Sequence, residues 1–117
     1  MQRLDPAAVD LVKRVVELLV AGEFGAAAQI TGFSRLSTED IAEAIRSYGR
    51  TLVVPPSHVW QELDIVRVAA AADPTWSVVC DLWTLEEGRS DLSLVCTVAM
   101  PASIRSATIE IDGVYVR

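Results

Sequence analysis

Three carboxylates and an arginine cluster around one glycine, in the order Glu86, Glu87, Gly88, Arg89 and Asp91. Neighbouring carboxylates can act as a general acid and a general base, or can bind a cation. Acid–base catalysis requires a concave, partly dry setting that separates their pKa values. A glycine-centred turn between two strands is instead convex and wet, and the arginine can neutralise one of its neighbours. We therefore interpret the cluster as a structural turn or a recognition surface, with catalysis the least favoured interpretation.

Other candidates for chemistry are isolated residues. The single histidine, His58, follows a proline pair and has no nucleophile or acidic motif beside it. Cys80 and Cys96 lack the Cys-x-x-Cys spacing of a metal site. The sequence contains neither a phosphate-binding glycine loop nor a Gly-x-Ser-x-Gly elbow. It therefore predicts no catalytic residue, no metal site and no cofactor.

A β-hairpin is predicted to position the acidic cluster. Strand-like runs flank Gly88, and a turn centred there pairs residues whose numbers sum to 176, so that Cys80 faces Cys96. One face of this hairpin is almost entirely apolar, and it includes Trp76. The opposite face is mixed and carries Asp81 and Trp83. We expect the two cysteines to be adjacent, buried and reduced, and Trp76 to lie in the core. Trp83 is either packed under the helices or exposed as a contact residue.

Three helices are predicted before the hairpin. Asp5 and Pro6 begin the first, and Gly22 ends it. Residues 23–31 form a short second helix. Ser37 caps a third helix, which Gly49 stops.

The rest of the chain is predicted to be extended. Strands are expected at residues 51–54, 63–70, 76–85, 91–100 and 108–116, the last with a bulge at Asp112-Gly113. Residues 57–62 form a turn or a single helical turn, and 101–106 form a loop. Helices followed by strands indicate an α+β fold, in which two to three helices pack on an antiparallel meander of about four strands. We expect one domain, 1–117, with a helical part at 1–50 and a sheet part at 51–117.

The charge is acidic and unevenly distributed. Of the net −6, residues 1–50 hold −1 and residues 51–117 hold −5. This balance argues against a nucleic-acid partner, while an acidic sheet half favours either solubility or a basic protein partner. No apolar run is long enough to cross a membrane, and the N-terminus lacks the apolar core of a signal peptide, so we expect a cytoplasmic location.

The run from Leu82 to Leu94, with its Leu-Trp-Thr-x-Glu-Glu-Gly-Arg-Ser-Asp-Leu pattern, resembles the signature of a family of small uncharacterised bacterial proteins. That resemblance implies an architecture and no catalytic residues. The Gly22-Glu23-Phe24 segment after a long helix is similar, more weakly, to the cystatin-like or nuclear-transport-factor-2-like cone. A curved sheet covered by helices is what this second resemblance implies.

Three functions remain open from the sequence. The leading hypothesis is a non-enzymatic binding protein, in its most concrete form an immunity or antitoxin-type inhibitor that docks a basic partner. Its contact residues would be Trp83, Glu86, Glu87, Arg89 and Asp91. The first alternative is a cone-shaped domain or enzyme that holds a small molecule between helices and sheet. Its polar residues would be Tyr48, His58 and Asp81. The second alternative is a structural homodimer formed through the sheet.

Overall fold

Helices precede a single antiparallel sheet in the computed structural model, which describes residues 4–31, 36–101 and 106–116. The predicted α+β class is confirmed. The described sheet has five strands instead of about four, because two short strands pair with the same edge strand. No helix in these ranges combines the length and the hydropathy that crossing a bilayer requires. The elements are α1 (Pro6–Val20), α2 (Phe24–Ile30), α3 (Thr38–Tyr48), β1 (Leu52–Val53), β2 (Asp64–Arg67), β3 (Thr75–Thr84), β4 (Gly88–Ala99) and β5 (Thr108–Val116).

The helices begin and end where local chemistry predicts. The Asp5 carboxylate accepts the Ala7 N–H at 2.8 Å, and Pro6 occupies the first helical turn of α1. Ser37 and Asp40 form a reciprocal capping box at the start of α3. Gly49 ends that helix in the left-handed conformation, at a φ of 72° that L side chains rarely adopt.

The edge of the sheet beside β3 is interrupted. β1 pairs with Trp83 and Thr84, whereas β2 pairs with the segment Trp76–Val79, so neither short strand pairs with residues 80–82. The chain between β1 and β2 forms a 3₁₀ helix, Ser57–Gln61, which resolves the predicted ambiguity of residues 57–62 in favour of a helical turn. The predicted loop at 101–106 lies mostly outside the described residues.

The predicted hairpin register is wrong by two residues. Along most of the β3–β4 ladder, paired residue numbers sum to 174, so Cys80 faces Leu94 and Cys96 faces Val78. The cysteines are therefore diagonal neighbours on one face rather than directly opposed. Both are buried free thiols, and burial raises the pKa of each to about 12, which disfavours the reactive thiolate. Because the register is shifted by an even number of residues, every side chain still points to its predicted face of the sheet.

Two irregularities account for the difference. The loop contains three residues, 85–87, and Gly88 closes it at a φ of 74° rather than standing at its centre. A bulge then follows, because Trp83 faces Arg89 while Asp81 faces Ser93. The bulge predicted in β5 is confirmed by a register shift at Asp112.

The helices cover the apolar face of the hairpin. Leu94, Cys96 and Val98 of β4 join α1 in one buried cluster, together with inward residues of β3 and β5. Trp76, predicted to be core, is only half-buried at the margin of this cluster, with the Arg67 guanidinium 5.4 Å from its ring centroid. We call the opposite side of the sheet the outer face. Its residues are Asp64 of β2, Ser77, Val79, Asp81 and Trp83 of β3, Ser93, Val95 and Thr97 of β4, and Asp112, Gly113 and Tyr115 of β5.

Candidate functional site

Asp81 holds a polar cluster at one end of the outer face. Its carboxylate accepts a hydrogen bond from the Ser93 hydroxyl at 2.9 Å and forms an ion pair with Arg89 Nε at 3.0 Å. The ladder explains both contacts, because Ser93 directly faces Asp81 and Arg89 directly faces Trp83. The Asp81 side chain is 34% exposed and that of Arg89 is 72% exposed, so this ion pair meets solvent.

Trp83 forms an aromatic wall beside that cluster. The structure places it on the outer face, so the favoured prediction, a core position under the helices, is wrong. His58 of the 3₁₀ helix approaches its ring edge-on, with centroids 6.2 Å apart. On another side, Gly88 lies next to the indole, since a Cβ there would be in ordinary contact with the ring, at 3.8 Å. These contacts half-bury the ring and fix its position.

A depression of about 480 Å³ opens at the interruption in the sheet edge. The 3₁₀ helix and the start of β2 form one side of it, and β3 with Arg89 forms the other. His58 Nε2 lies 4.0 Å from the Glu62 carboxylate, a distance that makes an ion pair when the imidazole is protonated. The polar and aromatic lining combines one arginine and one histidine with carboxylates and an indole: His58, Glu62, Asp64, Asp81, Trp83 and Arg89.

The Glu86 carboxylate ties the hairpin loop to the linker after α3. It accepts the Thr51 N–H at 2.9 Å and the Thr51 hydroxyl at 2.9 Å, while the Leu85 N–H donates to the Thr51 carbonyl at 2.8 Å. The pKa of Glu86 is lowered, mainly because the hydrogen bond from the Thr51 N–H stabilises the ionised carboxylate. Glu86 therefore stays charged while it anchors the loop.

Glu87 makes a second tie, to the last residue of α3. The Tyr48 hydroxyl lies 2.9 Å from both Glu87 carboxylate oxygens, and the Thr84 hydroxyl donates to the same group at 3.1 Å. The Tyr48 oxygen in turn accepts the Asp91 N–H at 3.3 Å. This network holds the hairpin tip against the helical part of the chain.

The predicted site residues thus divide into two groups. Trp83, Arg89, Asp81 and His58 line the depression, whereas Tyr48 lies with Glu86, Glu87 and Asp91 at the hairpin tip. The predicted set of Tyr48, His58 and Asp81 is therefore not brought together. A further depression, of about 420 Å³ beside α1, α2, β4 and β5, contains none of the three.

Sequence reasoning missed Ser93, Glu62 and Asp64. In the predicted register Asp81 faces Val95, so the Asp81–Ser93 hydrogen bond was hidden by the two-residue error. Glu62 and Asp64 reach the site because the 3₁₀ helix fills the interrupted edge of the sheet. The helical turn was predicted, but no sequence pattern indicated that it lies beside β3. Within the described ranges, no three His, Cys, Asp or Glu side chains are grouped as a metal ion would require.

The conformation of Gly88 leads to a stability prediction. Gly88→Val should lower the free energy of unfolding by about 1–2 kcal/mol or more, because a β-branched residue is strained at positive φ. Arg89→Ala, next in the chain, should lower it by only about 0–1 kcal/mol, since it removes an exposed ion pair. Urea denaturation of both variants measures the difference. Equal losses would contradict the assignment of Gly88 as the residue that closes the loop.

Comparison with known proteins identifies a family and nothing further. A family model described as "Domain of unknown function (DUF7668)" matches residues 16–117, which include the end of α1 and all later elements. No curated protein and no solved structure matches the chain. The resemblance to a cystatin-like or nuclear-transport-factor-2-like cone therefore stays a prediction.

Proposed function

The chain belongs to the family described as "Domain of unknown function (DUF7668)", an uncharacterised domain family, and from its surface we propose a non-enzymatic binding protein for a basic protein partner. The observation that carries the proposal is the composition of the outer face. A half-buried apolar centre there, Val79 and Val95, is bordered by aromatic rings and carboxylates, and the three α-helices pack on the other side.

Charge supports a basic partner. Of the net −6, the sheet part of the chain holds −5, and Asp64, Asp81 and Asp112 border the apolar centre. The Asp112 carboxylate is held at this position by a 2.6 Å hydrogen bond from the Thr97 hydroxyl. Carboxylates around an apolar centre attract a cationic surface and orient it before contact, which raises the rate of association.

Exposed apolar side chains supply anchors. The Tyr115 ring lies over Gly113, where an added Cβ would overlap it, and half of the tyrosine remains exposed. Leu85 at the hairpin tip is 73% exposed. A ring that already rests on its own sheet, as Tyr115 does, loses little conformational freedom on binding, which suits it to an interface, and Leu85 adds exposed apolar area.

The hairpin tip contributes in a second way. Glu86 and Glu87 are both exposed at the surface while their hydrogen bonds to Thr51 and Tyr48 fix the loop. A fixed acidic loop beside an aromatic surface matches the steering role that we assign to these residues. We extend the proposal to an immunity or antitoxin-type inhibitor in the cytoplasm, whose basic partner is a toxin.

Association kinetics test the proposal. The immobilised protein is used to capture partners from a lysate of its host, and the proteins encoded by adjacent genes are tested separately. The association rate of the purified partner should fall as salt is added, because screening shortens the reach of the acidic field. The charge reversals Asp64→Lys on the outer face and Asp91→Lys at the adjoining hairpin tip, both at exposed positions, should together slow association further.

A matched control separates local steering from net charge. Asp10→Lys with Glu17→Lys changes the total charge equally but places the new charges on the exposed side of α1. This control should associate nearly as fast as the wild type. An association rate that ignores salt, or equal effects of the two double variants, would count against docking through the outer face.

A further inference from the structure

We infer that the depression beside Trp83 binds one arginine side chain of that basic partner, an inference that rests on the proposed function and specifies its central contact. The site lies at the interrupted edge of β3, where the 3₁₀ helix replaces a paired strand. Its volume, about 480 Å³, falls within the roughly 300–1,000 Å³ that is typical of ligand pockets.

The chemistry of the wall matches a guanidinium. This planar cation forms paired hydrogen bonds with a carboxylate and stacks on aromatic faces, whereas an ammonium acts as a point charge. Asp81 and Trp83 present a carboxylate and an indole side by side on β3. Val59, Leu63 and Val79 supply the apolar surface on which the methylenes of an arginine side chain pack.

Arg89 already shows that Asp81 accepts a guanidinium. Its Nε lies 3.0 Å from the carboxylate, yet its side chain is 72% exposed and is therefore weakly held. An incoming arginine can displace this contact and form two parallel hydrogen bonds with Asp81 in place of one. The Ser93 hydroxyl, which donates to the other carboxylate oxygen at 2.9 Å, keeps Asp81 oriented during the exchange.

The balance of charge favours a cation over an anion as the occupant. Glu62, Asp64 and Asp81 face the depression against Arg89 and His58. A cation that displaces Arg89 replaces its positive charge beside these carboxylates, and the displaced arginine side chain moves to solvent. A phosphate or carboxylate ligand would instead meet like charge on several sides.

A ligand titration tests the inference on the full chain. Isotope-labelled protein is titrated with N-acetyl-arginine methylamide, and the amide signals are followed by NMR. Signals of the Trp83 indole N–H and the Ser93 amide should move in a saturable manner. N-acetyl-citrulline methylamide, which has nearly the same shape without the charge, should leave these signals in place, and the lysine analogue should bind more weakly.

Variants should shift the affinity in opposite directions. Asp81→Asn should weaken arginine binding on the order of tenfold, because a neutral amide loses the charge-assisted pair. Arg89→Ala should strengthen it severalfold, because the internal competitor is removed. Asp112→Asn, a charge loss elsewhere on the outer face, should change it little. A merely structural role of Asp81 and Arg89 would not produce opposite effects.

The results also distinguish this inference from the proposed function. Equal responses to the arginine and citrulline compounds in the wild type would overturn the arginine site, whatever the variants do. If a captured partner shows salt-dependent docking but binds Asp81→Asn as tightly as the wild type, the arginine site is wrong and the proposed function stands. If the variants shift the affinity for the arginine compound in opposite directions but no basic protein partner is found, the arginine site is supported and the proposed function is contradicted.

Discussion

Leu94→Ala is expected to lower the free energy of unfolding by about 2–5 kcal/mol, the range for removing a large aliphatic side chain from a packed core. Leu94 is fully buried in β4, between Cys80 of β3 and Val114 of β5, on the face that the helices cover. The truncation removes apolar surface from the core and leaves a cavity. Because β4 is paired on both edges, its backbone has little freedom to close that cavity.

The next residue provides the control. Val95 is half-buried on the outer face, so Val95→Ala should cost about 1 kcal/mol or less. Urea denaturation of the two variants, with equal dependence on denaturant, gives the comparison. A loss for Val95→Ala as large as that for Leu94→Ala would mean that the outer face is also core, and it would remove the surface on which the proposed function depends.

Local signals were sufficient for the helical part. Asp5-Pro6 and Ser37 each supply an acceptor for free N–H groups at a helix start, and Gly22 and Gly49 adopt the positive φ that ends a helix. These features involve residues at most a few positions apart. Because each is satisfied within the chain segment itself, the sequence alone predicts it.

The hairpin shows where local reasoning stops. The sequence predicts Gly88 at the centre of the turn, whereas Gly88 closes a three-residue loop that begins after Thr84. The resulting error in the register of β3 and β4 preserved the composition of each face. It misplaced every individual partner, including the Cys80–Cys96 pair and the Asp81–Ser93 hydrogen bond.

The roles of the acidic loop residues depend on contacts that are distant in sequence. Glu86 bonds Thr51 and Glu87 bonds Tyr48, across separations of 35 and 39 residues. No periodicity or spacing encodes such pairs, because they form only when the hairpin folds back onto the end of α3. Contacts between distant residues also decide which side of the sheet the helices cover. The sequence alone therefore does not fix the position of Trp83.

Ser90 tests the irregularity that determines the register. Its hydroxyl donates to the Leu82 carbonyl at 2.6 Å and accepts the Leu92 N–H at 3.1 Å, and the residue is buried. The bulge disrupts the normal ladder between Leu82 and the segment around Asp91, so the hydroxyl replaces backbone hydrogen bonds that the strands do not make there. Ser90→Ala should therefore lower the free energy of unfolding by about 1–3 kcal/mol, the cost of leaving buried polar groups without partners.

The neighbouring residue is again the control, because the Asp91 side chain is exposed and its backbone N–H, which bonds Tyr48, is retained in an alanine variant. Asp91→Ala should remain within about 0.5 kcal/mol of the wild type. Hydrogen exchange adds a local measurement, since the Leu92 amide should lose protection in Ser90→Ala. If Leu92 keeps its protection and the two variants are equally stable, another group must satisfy the bulge. If Ser90→Ala is the less stable variant and Leu92 loses protection, the Ser90 hydroxyl holds the register that brings Asp81 to Ser93 and Trp83 to Arg89. The candidate site then depends on that hydroxyl.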